Sequence, residues 1–245
     1  MSDCYDLDKI NSIIKIEGVL TNETPLRIGS GKAQLFTATT DNPILTIEDK
    51  PVIPGSSLKG ALRSLAEAYM KSQQSEGKIK YVVHDITDHE SPSCKKDEKT
   101  GEEIYCIPCI LFGFHDISAR VYIMDAIVED DFSISQRTMV TINRVFGGQQ
   151  PGHLYTLDFV NPNAKFKLNM IVYNLDFINS ENEEWKKKAV EVMRFLLKSL
   201  KDGIFIGGRK SVGYGYVRLI QANATLIKPG KETKTYDLME VIKSW

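Results

Sequence analysis

Arg209, Lys210 and Ser211 lie inside Gly203-Ile-Phe-Ile-Gly-Gly-Arg-Lys-Ser-Val-Gly-Tyr-Gly215, a loop that holds five of the chain's 17 glycines. Glycine admits φ > 0 and lets a backbone approach another surface closely. Successive N–H groups in such a loop form an anion-binding nest. With two cations beside them, Gly207, Gly208, Arg209 and Lys210 suit a phosphate chain. The spacing is not the nucleotide-binding Gly-x-x-x-x-Gly-Lys-Ser/Thr loop. It is not a dinucleotide fingerprint either, because a strand-like run follows where a helix is required. A tight turn with no further role is the plain alternative.

A second constellation is Cys106-Ile-Pro-Cys109, preceded by Cys94, His89 and His84. Read as His84, Cys94, Cys106 and Cys109, with His89 as the alternative to His84, it forms a tetrahedral Cys₃His set for structural Zn²⁺. The segment around it is rich in Lys, Asp, Glu and Ser, so a metal would replace a missing core. A redox pair and unconnected buried thiols are the other readings. No clear helix follows the C-x₂-C in a thioredoxin-like frame, which speaks against redox chemistry. Cys4 stands alone. Asp41-Asn-Pro reads locally as an Asx-turn or cap. Gly55-Ser-Ser-Leu-Lys-Gly60 opens a helix that Ser56 or Ser57 can cap. Free N–H groups and the helix dipole favour a phosphate at that end. Lys59 and Arg63, four apart, share a face away from Leu58, Leu62 and Leu65.

The elements that position these groups follow from periodicity. Residues 12–20, 119–128, 165–175 and 214–219 read as strands, and 34–40 as extended. Residues 56–73 make one helix. A second begins at a capping box, Ser180-Glu-Asn-Glu183, runs along Trp185, Ala189, Val192, Met193, Leu196 and Leu200, and ends at Gly203. The tail from Asp237 suits a short helix. This order predicts an α+β protein with a ferredoxin-like β-α-β-β-α-β core. Insertions fall at about 74–110, the zinc-binding segment, and at 132–160, a protruding hairpin.

The bulk numbers leave room for one large domain. A chain of 245 residues with 42% hydrophobic and 26% charged residues has the composition of a soluble globular protein. The net charge of −1 means that any nucleic-acid surface is a local patch. No apolar run approaches a membrane span. No basic-then-apolar leader opens the chain, so a cytoplasmic, reducing compartment is expected.

Three segments together carry a resemblance: Leu26-Arg-Ile-Gly-Ser-Gly31; Asp41-Asn-Pro-Ile-Leu with Ile53-Pro-Gly-Ser-Ser-Leu-Lys-Gly-Ala-Leu-Arg63; and the glycine loop. Cys109-Ile-Leu-Phe-Gly113, Met124-Asp-Ala126 and Thr141-Ile-Asn-Arg144 fit the same pattern. Over nearly its whole length the chain resembles the RAMP superfamily, and within it the Cas7-like, Csm-type backbone subunit of type III CRISPR–Cas effector complexes. The resemblance implies a single RRM-like domain over 1–245, copies of which polymerise along a CRISPR RNA beside other effector subunits. It implies that the hairpin is a thumb that kinks the guide–target duplex, with Arg144 near the RNA and Phe146 as a wedge. It makes Asp41 the residue that cuts target RNA at regular intervals with Mg²⁺ or Mn²⁺. It assigns Arg27, Ser56, Ser57, Lys59, Arg63, Arg144 and the glycine loop to RNA binding. Arg27 stands where the family often has histidine. A non-cleaving scaffold of the same complex is the first alternative. A standalone CRISPR RNA-processing endoribonuclease is the second, and the absence of a histidine near the first helix speaks against it. An unrelated zinc enzyme is the third, and a closed Cys₃His set speaks against that.

Overall fold

Ile14, Ile16 and Leu20 alternate with Lys15 and Glu17, so residues Ile13–Asn22 form a strand, β1, with one face buried and one exposed. The computed structural model describes residues 3–30, 41–73, 79–85, 87, 91–97, 100–129, 131–179 and 181–245. The expected extended run 34–40 lies outside them. Five further strands carry the argument: β2 (Val121–Ile123), β3 (Ile134–Ile142), β4 (Gln149–Val160), β5 (Lys165–Tyr173) and β6 (Tyr216–Ile227). The helices are α1 (Gly55–Lys71), α2 (Ile107–Phe112), α3 (Glu184–Asp202) and α4 (Leu238–Lys243).

The main sheet is antiparallel, in the order β6-β1-β5-β2. Short strands at Ile204–Phe205 and Lys234–Asp237 lie along the outer edge of β6. Phe166, Leu168, Met170 and Val172 of β5 and Val217, Leu219, Ala222 and Ala224 of β6 bury the same face as Ile14 and Ile16. Against that face pack Leu58, Leu62, Ala66 and Met70 of α1 and Trp185, Ala189, Met193, Leu196 and Leu200 of α3. The opposite face exposes Lys15, Glu17, Lys167 and Asn223. Most of the fold's stability comes from this single apolar interface, at about 25 cal/mol per Å² of apolar surface removed from water.

Several expectations are corrected in detail. The strand expected over 119–128 is broken at Met124–Asp125, because the Asp125 carboxylate turns to accept from the Gly55 N–H, 2.8 Å away. Ala126–Ile127 then pairs with Lys50–Ile53 instead. The capping box does not form: α3 starts at Glu184 with Glu183 as its N-cap residue, and the Glu183 carboxylate accepts from Trp185 Nε1 at 2.9 Å and Lys186 Nζ at 2.8 Å. Ser180 lies outside the described residues. Gly203 does end α3, with its N–H on the Ser199 carbonyl at 2.8 Å. The C-x₂-C pair does stand at a helix. Cys106 is the N-cap of α2, and all six residues of that helix are buried against α1 and α3. Residues 107–110 therefore belong to the core and not to the polar insertion.

β3 and β4 form a two-stranded antiparallel ribbon apart from the main sheet, with an irregular register between Gln149 and Leu154. The Asn143 side chain accepts from the N–H groups of Val145 and Phe146 and closes the tip. No helix among the described residues is long and apolar enough to cross a membrane.

Candidate functional site

Four stretches distant in sequence meet at the root of the β3–β4 ribbon: 25–30, 41–45, 155–159 of β4, and the glycine loop 206–215. Backbone bonds hold them together. Gly208 N–H donates to the Arg27 carbonyl at 2.9 Å, Gly215 N–H to Pro25 at 2.8 Å, Leu45 N–H to Ile28 at 2.7 Å and Asp158 N–H to Asn42 at 3.2 Å. Gly207 has φ +78°, and a Cβ there would run into the Arg27 carbonyl oxygen. Gly208 has room for a side chain, its nearest neighbour being that same oxygen at 3.8 Å. Between these two neighbours, the glycine requirement is therefore at Gly207. It exists because the loop packs on the 25–30 backbone. Arg209 itself takes the left-handed conformation, φ 60°.

Asp41 is exposed on the 41–45 loop. Its Oδ2 accepts from the Thr156 N–H at 2.8 Å and the Thr156 hydroxyl at 3.1 Å. The carboxyl is held below its ordinary range, first by that N–H and then by the hydroxyl. Asn42, next to it, donates from Nδ2 to the Thr156 carbonyl at 3.1 Å. Arg27 Nη1 donates to the carbonyls of Asn42 at 2.9 Å and Asp158 at 3.2 Å. Arg209 bonds to the Tyr155 hydroxyl and lies 5.3 Å from the centre of its ring. Burial lowers the Arg27 pKa, and the Arg209 charge lowers it further. Two guanidinium groups that repel one another are thus held at the root of the ribbon, and the carboxylate charge that acts on Arg27 is that of Asp158. Arg137 sits over Phe159 and Tyr214, and the buried Tyr214 hydroxyl has no hydrogen-bond partner among the described residues. Such a constellation favours a bound anion between the cations.

The remaining expected contacts divide. At the start of α1, Pro54 is the N-cap residue and neither Ser56 nor Ser57 caps it. The Gly55 N–H is already used by Asp125, so the anion-attracting end of this helix holds a carboxylate of the chain itself. Lys59 is half-buried on α1, and burial, then the charge of Arg63, lowers its pKa. Arg63 is committed elsewhere. Its Nε bonds to Glu67 at 2.8 Å, Nη1 to the Gly113 carbonyl at 2.8 Å, and Nη2 reaches the Cys109 sulfur at 3.8 Å. Arg144 and Lys210 are exposed, Arg144 at the ribbon tip beside Val145 and Phe146, which are 86% and 84% exposed.

The expected zinc ligands are only partly brought together. His84 Nδ1, Cys106 Sγ and Cys109 Sγ lie within 4.8 Å of one another, the two sulfurs 3.0 Å apart. Cys94 is not among them, because it pairs with Cys4, which ties the N-terminal 3₁₀ turn Asp3–Asp8 to the insertion. His89 lies outside the described residues. The hydrogen bond between the sulfurs holds Cys106 below the ordinary thiol range and pushes Cys109 up, while the Arg63 charge favours thiolate at both. Two buried thiols and an imidazole form a donor set that fits Zn²⁺.

Sequence reasoning missed Thr156, Tyr155 and Asp125. Thr156 and Tyr155 sit in a strand with ordinary alternation, and Asp125 inside an expected strand, so no local signal marks them.

The RAMP superfamily model matches residues 19–218. Those residues include the site, the ribbon and the glycine loop. The chain belongs to the RAMP superfamily. It is 29% identical over 215 residues to the protein named CRISPR system Cms endoribonuclease Csm3 from Methanocaldococcus jannaschii, a match covering 83% of this chain and 77% of that protein. It is 28% identical over 233 residues to the protein of the same name from Streptococcus thermophilus, covering 91% and 94%. These relatives place it with the Csm-type, Cas7-like subunits.

Proposed function

We propose that this chain is a CRISPR RNA-binding backbone subunit of a type III effector complex, and that it cuts complementary target RNA at regular intervals through Asp41. In this reading the chain is a single RRM-like domain with a ferredoxin-like core, and copies of it line the guide beside other effector subunits in the cytoplasm. One observation carries the proposal: an exposed carboxylate held ionised by Thr156 at the root of a protruding ribbon, where Arg27 and Arg209 also sit, in a chain similar to two named endoribonucleases.

The residues act as follows. Arg27, Arg209, Lys210 and Lys59 attract backbone phosphates, with the amides of Gly207 and Gly208 beside them, so binding reads charge and shape and not sequence. Ser56 and Ser57 offer hydroxyls to the backbone next to Lys59. Arg63 drops out of this set because its donors are used internally. Arg144 and the exposed Val145 and Phe146 meet the duplex, and the aromatic ring stacks on an unpaired base. Asp41 supplies the oxygen ligand that a hard cation needs. A bound Mg²⁺ or Mn²⁺ would stabilise charge developing on the phosphate as the neighbouring 2′-OH attacks. Zn²⁺ held by His84, Cys106 and Cys109, with its fourth position taken by a ligand outside this set, would stiffen the insertion at about 74–110, with Cys94 released from the ligand set.

The test is the intact complex with matched RNA and Mg²⁺. Regularly spaced cuts are expected. Tight target binding without any cuts would favour the non-cleaving scaffold.

A further inference from the structure

Residues 155–158 of β4 touch groups that three other segments bring to the site. Tyr155 bonds to Arg209, Thr156 to Asp41, and the Asp158 carbonyl to Arg27. The Thr156 contact is the most extensive. Its N–H donates to Asp41 Oδ2 at 2.8 Å, its hydroxyl donates to the same oxygen at 3.1 Å, and its Oγ1 accepts from the Asp41 N–H at 3.2 Å. The two residues are 115 positions apart, so the clasp is a product of the fold and not of a local turn. Both bonds to the carboxylate end on one oxygen. That fixes the position of Oδ2 and leaves Oδ1 out of the contact with Thr156. An exposed aspartate on a loop otherwise visits several rotamers, and ordering it costs entropy at the moment it must act.

We propose that Thr156 is a positioning residue for Asp41, locking the carboxylate by one oxygen so that the other is presented to the metal and the scissile phosphate. This rests on the reading of Asp41 as the cleaving residue. The clasp also has an electrostatic consequence, because donors aimed at Oδ2 favour the ionised form.

Thr156→Val keeps the amide bond and removes both hydroxyl bonds, while Thr156→Ser keeps all three. In the assembled complex with matched target RNA, Thr156→Val should slow single-turnover cleavage about ten-fold, as expected for losing a hydrogen bond to a charged group. Target affinity and melting temperature should stay at the wild-type values, and Thr156→Ser should restore the rate. In the free full-length chain, the three-bond couplings of Asp41 should report one χ1 rotamer in wild type and averaged rotamers in Thr156→Val. A wild-type rate in Thr156→Val, a Thr156→Ser as slow as Thr156→Val, or target affinity lost in step with rate would each overturn the proposal. If Thr156→Val does not assemble, the couplings decide, and a single Asp41 rotamer in both proteins overturns it. Asp41→Ala run in parallel separates the two claims. If it still cuts, the reading of Asp41 fails; if it is inactive while Thr156→Val is fully active, only the positioning role fails.

Discussion

Arg63 uses three of its donors inside the protein, on Glu67, on the Gly113 carbonyl and towards Cys109. The family resemblance assigns it to RNA binding, and only the partners 46 and 50 residues away reveal its role. Arg63→Ala should destabilise the chain by about 1–2 kcal/mol, the size of a partly buried charged hydrogen bond, and leave guide affinity unchanged. Lost guide affinity with an unchanged melting temperature would return it to the phosphate set. Cysteine chemistry was legible in type but not in partner, since spacing alone could not show that Cys94 faces Cys4. If His84, Cys106 and Cys109 hold zinc, purified protein should carry about one ion per chain, Cys106→Ser should lose it, and Cys94→Ser should keep it. Zinc loss in Cys94→Ser would restore the four-ligand set. For Asp41 the folded pKa is depressed. The clasp's contribution is therefore present above the ordinary carboxylate range and fades as pH falls through the lowered value. Cleavage should show no acid limb from Asp41 at mildly acidic pH, which a pH–rate profile between pH 5 and 7 checks.

At the scale of elements, periodicity marked the strands and helices of the core well, because one buried face imposes its spacing on the sequence. Boundaries moved where a side chain from elsewhere intervened. Asp125 breaks its strand to satisfy the Gly55 N–H, and α3 starts at Glu184 without the expected box. The glycine loop was legible as a loop, but which glycine matters was not. Gly207→Val must force φ away from +78° and push into the Arg27 carbonyl. It should lower both stability and guide affinity. Gly208→Ala should change neither, since an added Cβ meets only the Arg27 carbonyl oxygen, at an ordinary contact distance of 3.8 Å. Thermal melts and guide titrations of the two variants check this, and equal effects at both positions would contradict it. The ribbon tip is a different case. The Val145 and Phe146 side chains are largely exposed, so Val145→Ser with Phe146→Ser should leave the melting temperature unchanged and weaken duplex engagement in the assembled complex.

At the scale of the molecule, the sheet and helices are a scaffold, and the groups argued to act sit on loops and on one ribbon outside it. A net charge of −1 is compatible with RNA binding only if the cations are gathered, as Arg27 and Arg209 are. Losing Arg209 and Lys210 should therefore weaken binding to guides of any sequence alike, and flatten its salt dependence by about 0.7 log unit per contact. The central claim is that Asp41 cuts the RNA which the rest of the chain helps to hold. Its most direct test compares wild-type and Asp41→Ala complexes on matched target RNA with Mg²⁺, scoring affinity and cleavage together. The account predicts unchanged guide and target affinity with complete loss of the regularly spaced cuts. Cuts of wild-type rate and spacing from the Asp41→Ala complex would contradict it.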